Sequence, residues 1–251
     1  MSTNYHNWNN IQPGQDTTVD AGAVASKTFM TNVFALMAGA LVITGVTAYL
    51  FGTVEALLRL LYTIEDGYLT PTILGWVVTF SPMAFILVMG IGMEKMSLGV
   101  LTAIFILFSA EMGASLGYIF LVYRIGTIVP AFFITAGMFG SMAVMGYITK
   151  ADLSKFGAIM MMGLTGVILA MFINFFFMRS EMFDYILCIA AVALFTGLTA
   201  WDVQNLKQIG AGATGAGKSN AMKMAILGAV TLYLRFINIF LLLLRLMGNR
   251  R

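Results

Sequence analysis

Seven long apolar runs, separated by short polar breaks, occupy this chain from Thr28 to Met247. A helix needs ~20 mostly apolar residues to cross ~30 Å of hydrocarbon. The runs are Thr28–Phe51, Ile73–Met93, Leu98–Val122, Ile128–Ile148, Phe156–Met178, Met182–Trp201 and Ala225–Met247. They are continuously apolar, without the period-two alternation of a membrane barrel, so helices are expected. The pattern therefore predicts an all-α membrane protein with seven transmembrane helices. They would form a single domain over residues 27–251, preceded by a polar, disordered tail over residues 1–26.

Composition agrees. The chain is 60% hydrophobic and 10% charged, with a mean hydropathy of +0.91, whereas soluble domains carry about a quarter charged residues. The cations are scattered through short loops and make no basic stripe, which excludes a nucleic-acid partner. The lipid bilayer is the expected partner. The N-terminus lacks the basic-then-apolar layout of a signal peptide. His6, the only histidine, falls in the tail, and Cys188 is the only cysteine. A Ser/His or Cys/His catalytic pair, a His/Cys metal cluster, HExxH and an intrachain disulfide are thereby excluded. Neither an enzyme nor a cofactor is expected.

Orientation follows from Lys and Arg in short loops. With the N-terminus in the cytoplasm, Lys27, Lys95, Lys150, Lys155, Lys207, Lys218 and Lys223 fall inside, and Arg59, Arg124 and Arg179 outside. Arg250 and Arg251 would lie outside if the last run crosses fully. A last run that only partly spans would return them to the cytoplasm.

Two connections exceed tight turns. Gly52 to Thr72 contains the mildly amphipathic ALLRLLY, suited to the membrane surface. Asp202 to Met224 is rich in Gly, Ala and Lys. Within the second, Gly212 to Ser219 matches the G-x-x-x-x-G-K-[ST] pattern of phosphate-binding loops. That chemistry needs a preceding strand, and no carboxylate side chain follows Asp202 to hold Mg²⁺, so nucleotide binding is not expected. Small residues at Gly113/Gly117, Gly137/Gly140 and Gly163/Gly166 offer narrow faces for helix packing. Pro82 should kink or weaken the second helix.

The charges that hydrocarbon cannot ignore are fewer. Asp184 lies two residues inside the sixth run, near Arg179 and Glu181, and suits the interface. Arg245 is close enough to the end of the last run to reach water. Arg235 is not: it stands about eleven residues from either end of its run, roughly 16 Å of helix, near the limit of what snorkelling covers. An ionisable group at that depth marks a functional site by default. Asn238 follows about one turn on, on the same face. Glu111, in LFSAEMGASLG, is similarly deep and needs a partner or a proton. Asp202 closes the sixth run in FTGLTAWDVQNLK. These residue types point to ion handling, a proton-sensitive latch or a structural ion pair.

Several stretches carry a resemblance: LTAIFILFSAEMGASLGYIFLVY, FFITAGMFGSMAVMGYITKADLSKFG, FTGLTAWDVQNLK and VTLYLRFINIFLLLLRLMGN. Together they resemble the bacterial branch of the Bax inhibitor-1 family, over about Thr28 to Asn249. The resemblance implies seven helices, six wrapped around a central C-terminal helix. It implies a pH-sensitive calcium leak channel, with calcium as the permeant ion. The family's sensor is a pair of aspartates. One ends the sixth helix and matches Asp202; the other, in Leu-Tyr-Leu-Asp-Phe-Ile-Asn, falls on Arg235, a departure at the central position. Two carboxylates share a proton and repel when they lose it; Asp202 facing Arg235 would attract and stay closed. The gating or ion-pathway residues expected here are therefore Asp202, Arg235, Glu111 and Asn238. Glu111 stands as a second counter-ion to Arg235. For the family's basic latch near the inner end of the second helix, only Lys95 is available.

Some bacterial relatives restrain a membrane-anchored ATP-dependent protease, so the resemblance also allows a protease-modulating role, for which the polar N-terminal tail would suit engagement. The resemblance implies the cell inner membrane as location. A purely structural role for the ion pair is the third reading.

Overall fold

A computed structural model describes residues 15–65, 68–213 and 217–248. In chain order the elements are α1 (Gln15–Thr53), α2 (Glu55–Leu61), β1 (Tyr62–Glu65), β2 (Tyr68–Pro71), α3 (Ile73–Gly92), α4 (Leu98–Leu116) and α5 (Ile119–Val122). Then follow α6 (Ile125–Ile148), α7 (Ser154–Ile173), a π-helical turn (Asn174–Met178), α8 (Glu181–Gly212) and α9 (Gly217–Met247). Among the described residues seven spans are long and apolar enough to cross a membrane. α4 with α5 makes the third, and α7 with its π turn makes the fifth.

The ends of these helices follow local chemistry. The hydroxyls of Thr72, Ser97 and Ser180 accept from Gly75 N, Val100 N and Phe183 N, capping α3, α4 and α8. Pro82 sits inside α3, which nevertheless runs from Ile73 to Gly92 as one helix. Proline leaves the carbonyl four residues back without its helical donor. Here that is Val78 O, and Ser81 Oγ lies 3.3 Å from it.

Three expectations are corrected. α1 begins at Gln15, inside the stretch read as a disordered tail; residues 1–14 lie outside the described residues. Its Ala-rich start (Ala21, Ala23, Ala25) propagates a helix already nucleated by the span, and the buried Ser26 hydroxyl anchors it to Lys207 O at 2.9 Å. The Gly52–Thr72 connection is a short helix followed by an antiparallel hairpin, with Tyr62 opposite Pro71 and Thr63 opposite Thr70. The sixth helix does not end at Trp201 but continues to Gly212, so Asp202 lies well inside α8.

Packing is centred on α8 and α9. Over its most apolar stretch each is 56% buried, against 11% for the α7 span and 17% for α3. The outer helices instead expose apolar side chains such as Phe80, Ile91, Met162 and Phe177 to the lipid side. α9 packs on α1, α3, α4, α6 and α8, whereas α7 packs on α8. Tyr233 of α9 is fully buried. Thr44 gives its hydroxyl hydrogen to Ser109 O at 2.8 Å, so the Tyr233 hydroxyl, 2.7 Å from Thr44 Oγ1, is the donor there. One chain of hydrogen bonds thus joins α9, α1 and α4.

The glycine faces divide. A Cβ on Gly113 would stand 2.5 Å from Thr44 O, and one on Gly117 would stand 3.0 Å from Phe51 Cβ, so this pair seats α4 on α1. Gly137, Gly140 and Gly166 have nothing within 4 Å of a Cβ and are not packing faces; Gly163 faces only the Leu194 side chain. The tight approach of α6 is made by Gly146, against the Ala200 backbone of α8.

The phosphate-loop match falls between two helices. Gly212 ends α8, where that loop requires a strand, and Lys218 and Ser219 lie in the first turn of α9; residues 214–216 are outside the described residues.

Candidate functional site

Arg235 reaches across from α9 to α8. Its Nε donates to Asp202 Oδ2 at 2.6 Å, with the side chains 14% and 6% exposed. The rest of the guanidinium is enclosed by soft, polarisable groups. Nη2 lies 3.7 Å from Met161 Sδ of α7, and Cζ lies 5.6 Å from the centre of the Phe195 ring of α8, within cation–π range. A charge so far from water needs a counter-charge, and α8 delivers it because its helix runs on past the apolar run.

A second ion pair joins the same helices at the other end. Arg245 Nη2 donates to Asp184 Oδ1 at 2.7 Å, the side chains 44% and 25% exposed. The two acids stand eighteen residues apart on α8, roughly 27 Å, while the two arginines stand ten apart on α9, roughly 15 Å. The spacings differ by about 12 Å, a mismatch that two long arginine side chains can span.

Between the pairs lies a cavity of about 340 Å³, lined by residues of α7, α8 and α9 with Tyr118, Ile119 and Tyr123. Asn238 and Phe195 line it beside Arg235, and Arg245 lines its other end. Beyond is a wider cavity of about 1080 Å³ at the mouth of α7, α8 and α9. The two share Ile168, Met171 and Arg245 as walls. One seam therefore runs from the mouth, past Arg245 and Asn238, to Phe195; the Arg235–Asp202 pair does not line it but lies behind the Phe195 ring.

The helix ends nearest that pair are fastened together. Gln204, two residues past Asp202, accepts from Leu153 N at 2.8 Å and donates to Ala151 O at 2.7 Å. Lys207 donates to Tyr147 O at 2.7 Å and sits 4.8 Å from the centre of its ring. The α6–α7 loop is thereby held against α8.

Of the residues singled out from the sequence, Asp202 and Arg235 meet each other, and Asn238 lines the seam about one turn from Arg235. Glu111 does not and is no counter-ion to Arg235: it faces α3, where Ser81 Oγ contacts Oε1, and its buried Oε2 has no hydrogen-bond partner among the described residues. Lys95 is exposed in the α3–α4 loop, without a side-chain partner among the described residues. It fastens nothing there. Sequence reasoning assigned Asp184 and Arg245 separately to the interface and missed their pairing, although opposite charges at the same end of consecutive spans were a usable signal. Met161 and Phe195 gave none, being two apolar residues among many. Among the described residues no cluster of metal-ligating side chains is found.

Comparison with known proteins places this arrangement. The family model described as "Inhibitor of apoptosis-promoting Bax1" matches residues 26–251. The chain is 39% identical over 239 residues to the inner membrane protein YbhL of Escherichia coli strain K12, covering 95% of this chain and 98% of that one. It is 36% identical over 223 residues to an uncharacterized protein of Borreliella burgdorferi, covering 89% and 92%. It is 31% identical over 221 residues to the protein YrjE of Lactococcus lactis, covering 88% and 90%.

Proposed function

Because this chain belongs to the Bax inhibitor-1 family of integral membrane proteins, we propose that it is a calcium-leak-type protein of the bacterial inner membrane, held closed by its Asp202–Arg235 pair. The single observation that carries this reading is the 2.6 Å ion pair between α8 and α9, next to the Phe195 wall of the α7–α8–α9 seam. A cation moving along the seam meets a guanidinium in a poorly screened environment, where like charges repel far more strongly than in water. The same guanidinium neutralises the one carboxylate that could attract the cation at that point. Asn238 offers a neutral ligand one turn away, and Asp184 at the mouth supplies a second carboxylate, itself engaged by Arg245.

The N-terminus is cytoplasmic in this reading, since all seven interhelical and flanking lysines then fall inside. Arg235–Asp202 then lies toward the cytoplasmic face and Arg245–Asp184 toward the outside.

Calcium flux into liposomes tests the proposal. The parent protein is expected to conduct weakly. Arg235→Gln, which removes the positive charge and releases Asp202, is expected to conduct several-fold faster at neutral pH. Equal flux in both, with the variant monodisperse and folded, would remove the pair from any role in closing the seam.

A further inference from the structure

The turn joining α7 to α8 is preset. Arg179 N donates to Asn174 O at 2.7 Å, closing the π turn. Asn174 is buried and grips the next residue twice: its Nδ2 donates to Ser180 O at 3.0 Å, and Ser180 N donates to its Oδ1 at 3.0 Å. Between them Arg179 is held at φ 50°, the only non-glycine residue with positive φ among the described residues. An L side chain adopts that conformation only when its surroundings impose it, and such residues gather at binding sites.

This turn frames the cavity of about 1080 Å³. One wall is apolar and faces the lipid side: Phe172, Phe175 and Phe176 are 61%, 72% and 53% exposed. Their rings pack on one another, with centres 4.5 Å apart for Phe172–Phe176 and 5.0 Å for Phe175–Phe176. The polar end carries Arg179, Glu181, Asp184 and Arg245. Asp184 and Arg245 satisfy each other, whereas neither Arg179 nor Glu181 has a side-chain partner among the described residues. The cavity thus combines an apolar wall open to hydrocarbon with one free cation and one free anion at its head.

We propose that this cavity is a binding site for a zwitterionic phospholipid with a primary ammonium head, of the phosphatidylethanolamine kind. Its acyl chain lies along the phenylalanine wall. Its phosphate accepts from the Arg179 guanidinium, whose planar fork matches phosphate oxygens. Its ammonium donates to Glu181. A choline head has no N–H to donate, and a glycerol head leaves Glu181 without a cation, so charge and donor count select among lipids. A soluble phosphate ester would leave the phenylalanine wall unused. Because Arg245 lines both cavities, a bound phosphate also competes with Asp184 for it. The site shares the mouth of the seam with the calcium-leak reading, but lipid retention is read by mass alone, so either can fail without the other.

Native mass spectrometry of the delipidated full-length protein, titrated with dioleoyl phosphatidylethanolamine, phosphatidylcholine or phosphatidylglycerol, tests this. The parent is expected to retain phosphatidylethanolamine about tenfold more tightly than either competitor, the factor that one charge-assisted hydrogen bond supplies. Glu181→Gln should abolish the preference over phosphatidylcholine while lipid still binds, and Arg179→Gln should weaken all three. Both residues are exposed, so the variants should fold, with unchanged melting as the check. Arg59→Gln, on the exposed α2 pair, should change nothing. Equal retention of the three lipids by the parent would overturn the proposal. So would a preference that survives Glu181→Gln, or soluble phosphoethanolamine binding as tightly as the lipid.

Discussion

Asp202 and Arg235 illustrate how much a single contact depends on what surrounds it. Neither charge is tolerable alone at its degree of burial, so removing one partner should cost more than removing both. Breaking a buried pair from one side costs about 3–5 kcal/mol in soluble proteins, and polar contacts between membrane helices contribute about 0.6–2 kcal/mol. Arg235→Ala is therefore expected to lower the melting temperature in detergent clearly, while Asp202→Asn with Arg235→Gln should recover most of the loss. A double variant as unstable as the sum of its singles would mean that the two side chains do not act on each other. At this scale the sequence was partly legible. Arg235 could be singled out because hydrocarbon makes a mid-span arginine conspicuous. Glu111 was equally conspicuous, yet its neighbour Ser81 lies thirty residues away on another helix, and only tertiary structure brings the two together.

Helices were legible wherever the membrane dictates them, and not where it stops. The seven spans could be read because each must be apolar for ~30 Å. α8 continues for eleven residues beyond Trp201, and α1 begins thirteen residues before Thr28, through sequence polar enough to pass for linker. Hydropathy does not register a helix that has left the hydrocarbon. Small-residue spacing was equally ambiguous: Gly113/Gly117 and Gly137/Gly140 look alike on paper, and only the first pair meets another helix. That difference is measurable. Gly113→Ala places a methyl against the Thr44 carbonyl and is expected to cost about 1–3 kcal/mol, as overpacking does. Gly137→Ala meets nothing and should be neutral or slightly stabilising, since alanine favours helix. Melting of the two variants side by side decides it; a Gly113→Ala variant as stable as Gly137→Ala would mean that α4 and α1 are not in close contact.

For the molecule as a whole, α8 and α9 form the buried axis, with an ion pair toward each end, one cavity between the pairs and a wider one beyond Arg245–Asp184. α9 is one unbroken helix of 31 residues, roughly 46 Å long, so a full crossing needs no return of its end. The direction of that axis in the membrane is read from lysine placement and is open to direct assay. In a Cys188→Ser background, a cysteine at Thr63, exposed on the hairpin, is expected to react with an impermeant thiol reagent in intact cells, and one at Thr3 to resist it. The reverse labelling would invert the topology and exchange the inner and outer pairs.

The pH profile of calcium flux in Arg235→Asp liposomes, set against the parent, bears most directly on whether the Asp202–Arg235 pair closes the seam. With two facing carboxylates, a shared proton at low pH would hold α8 and α9 together, and its loss would drive them apart. Flux through Arg235→Asp is expected to rise as pH rises, while the parent stays weak and nearly flat, because its pair attracts throughout that range. Equal and strongly pH-dependent flux in both proteins would contradict this, since gating would then proceed without any contribution from Arg235.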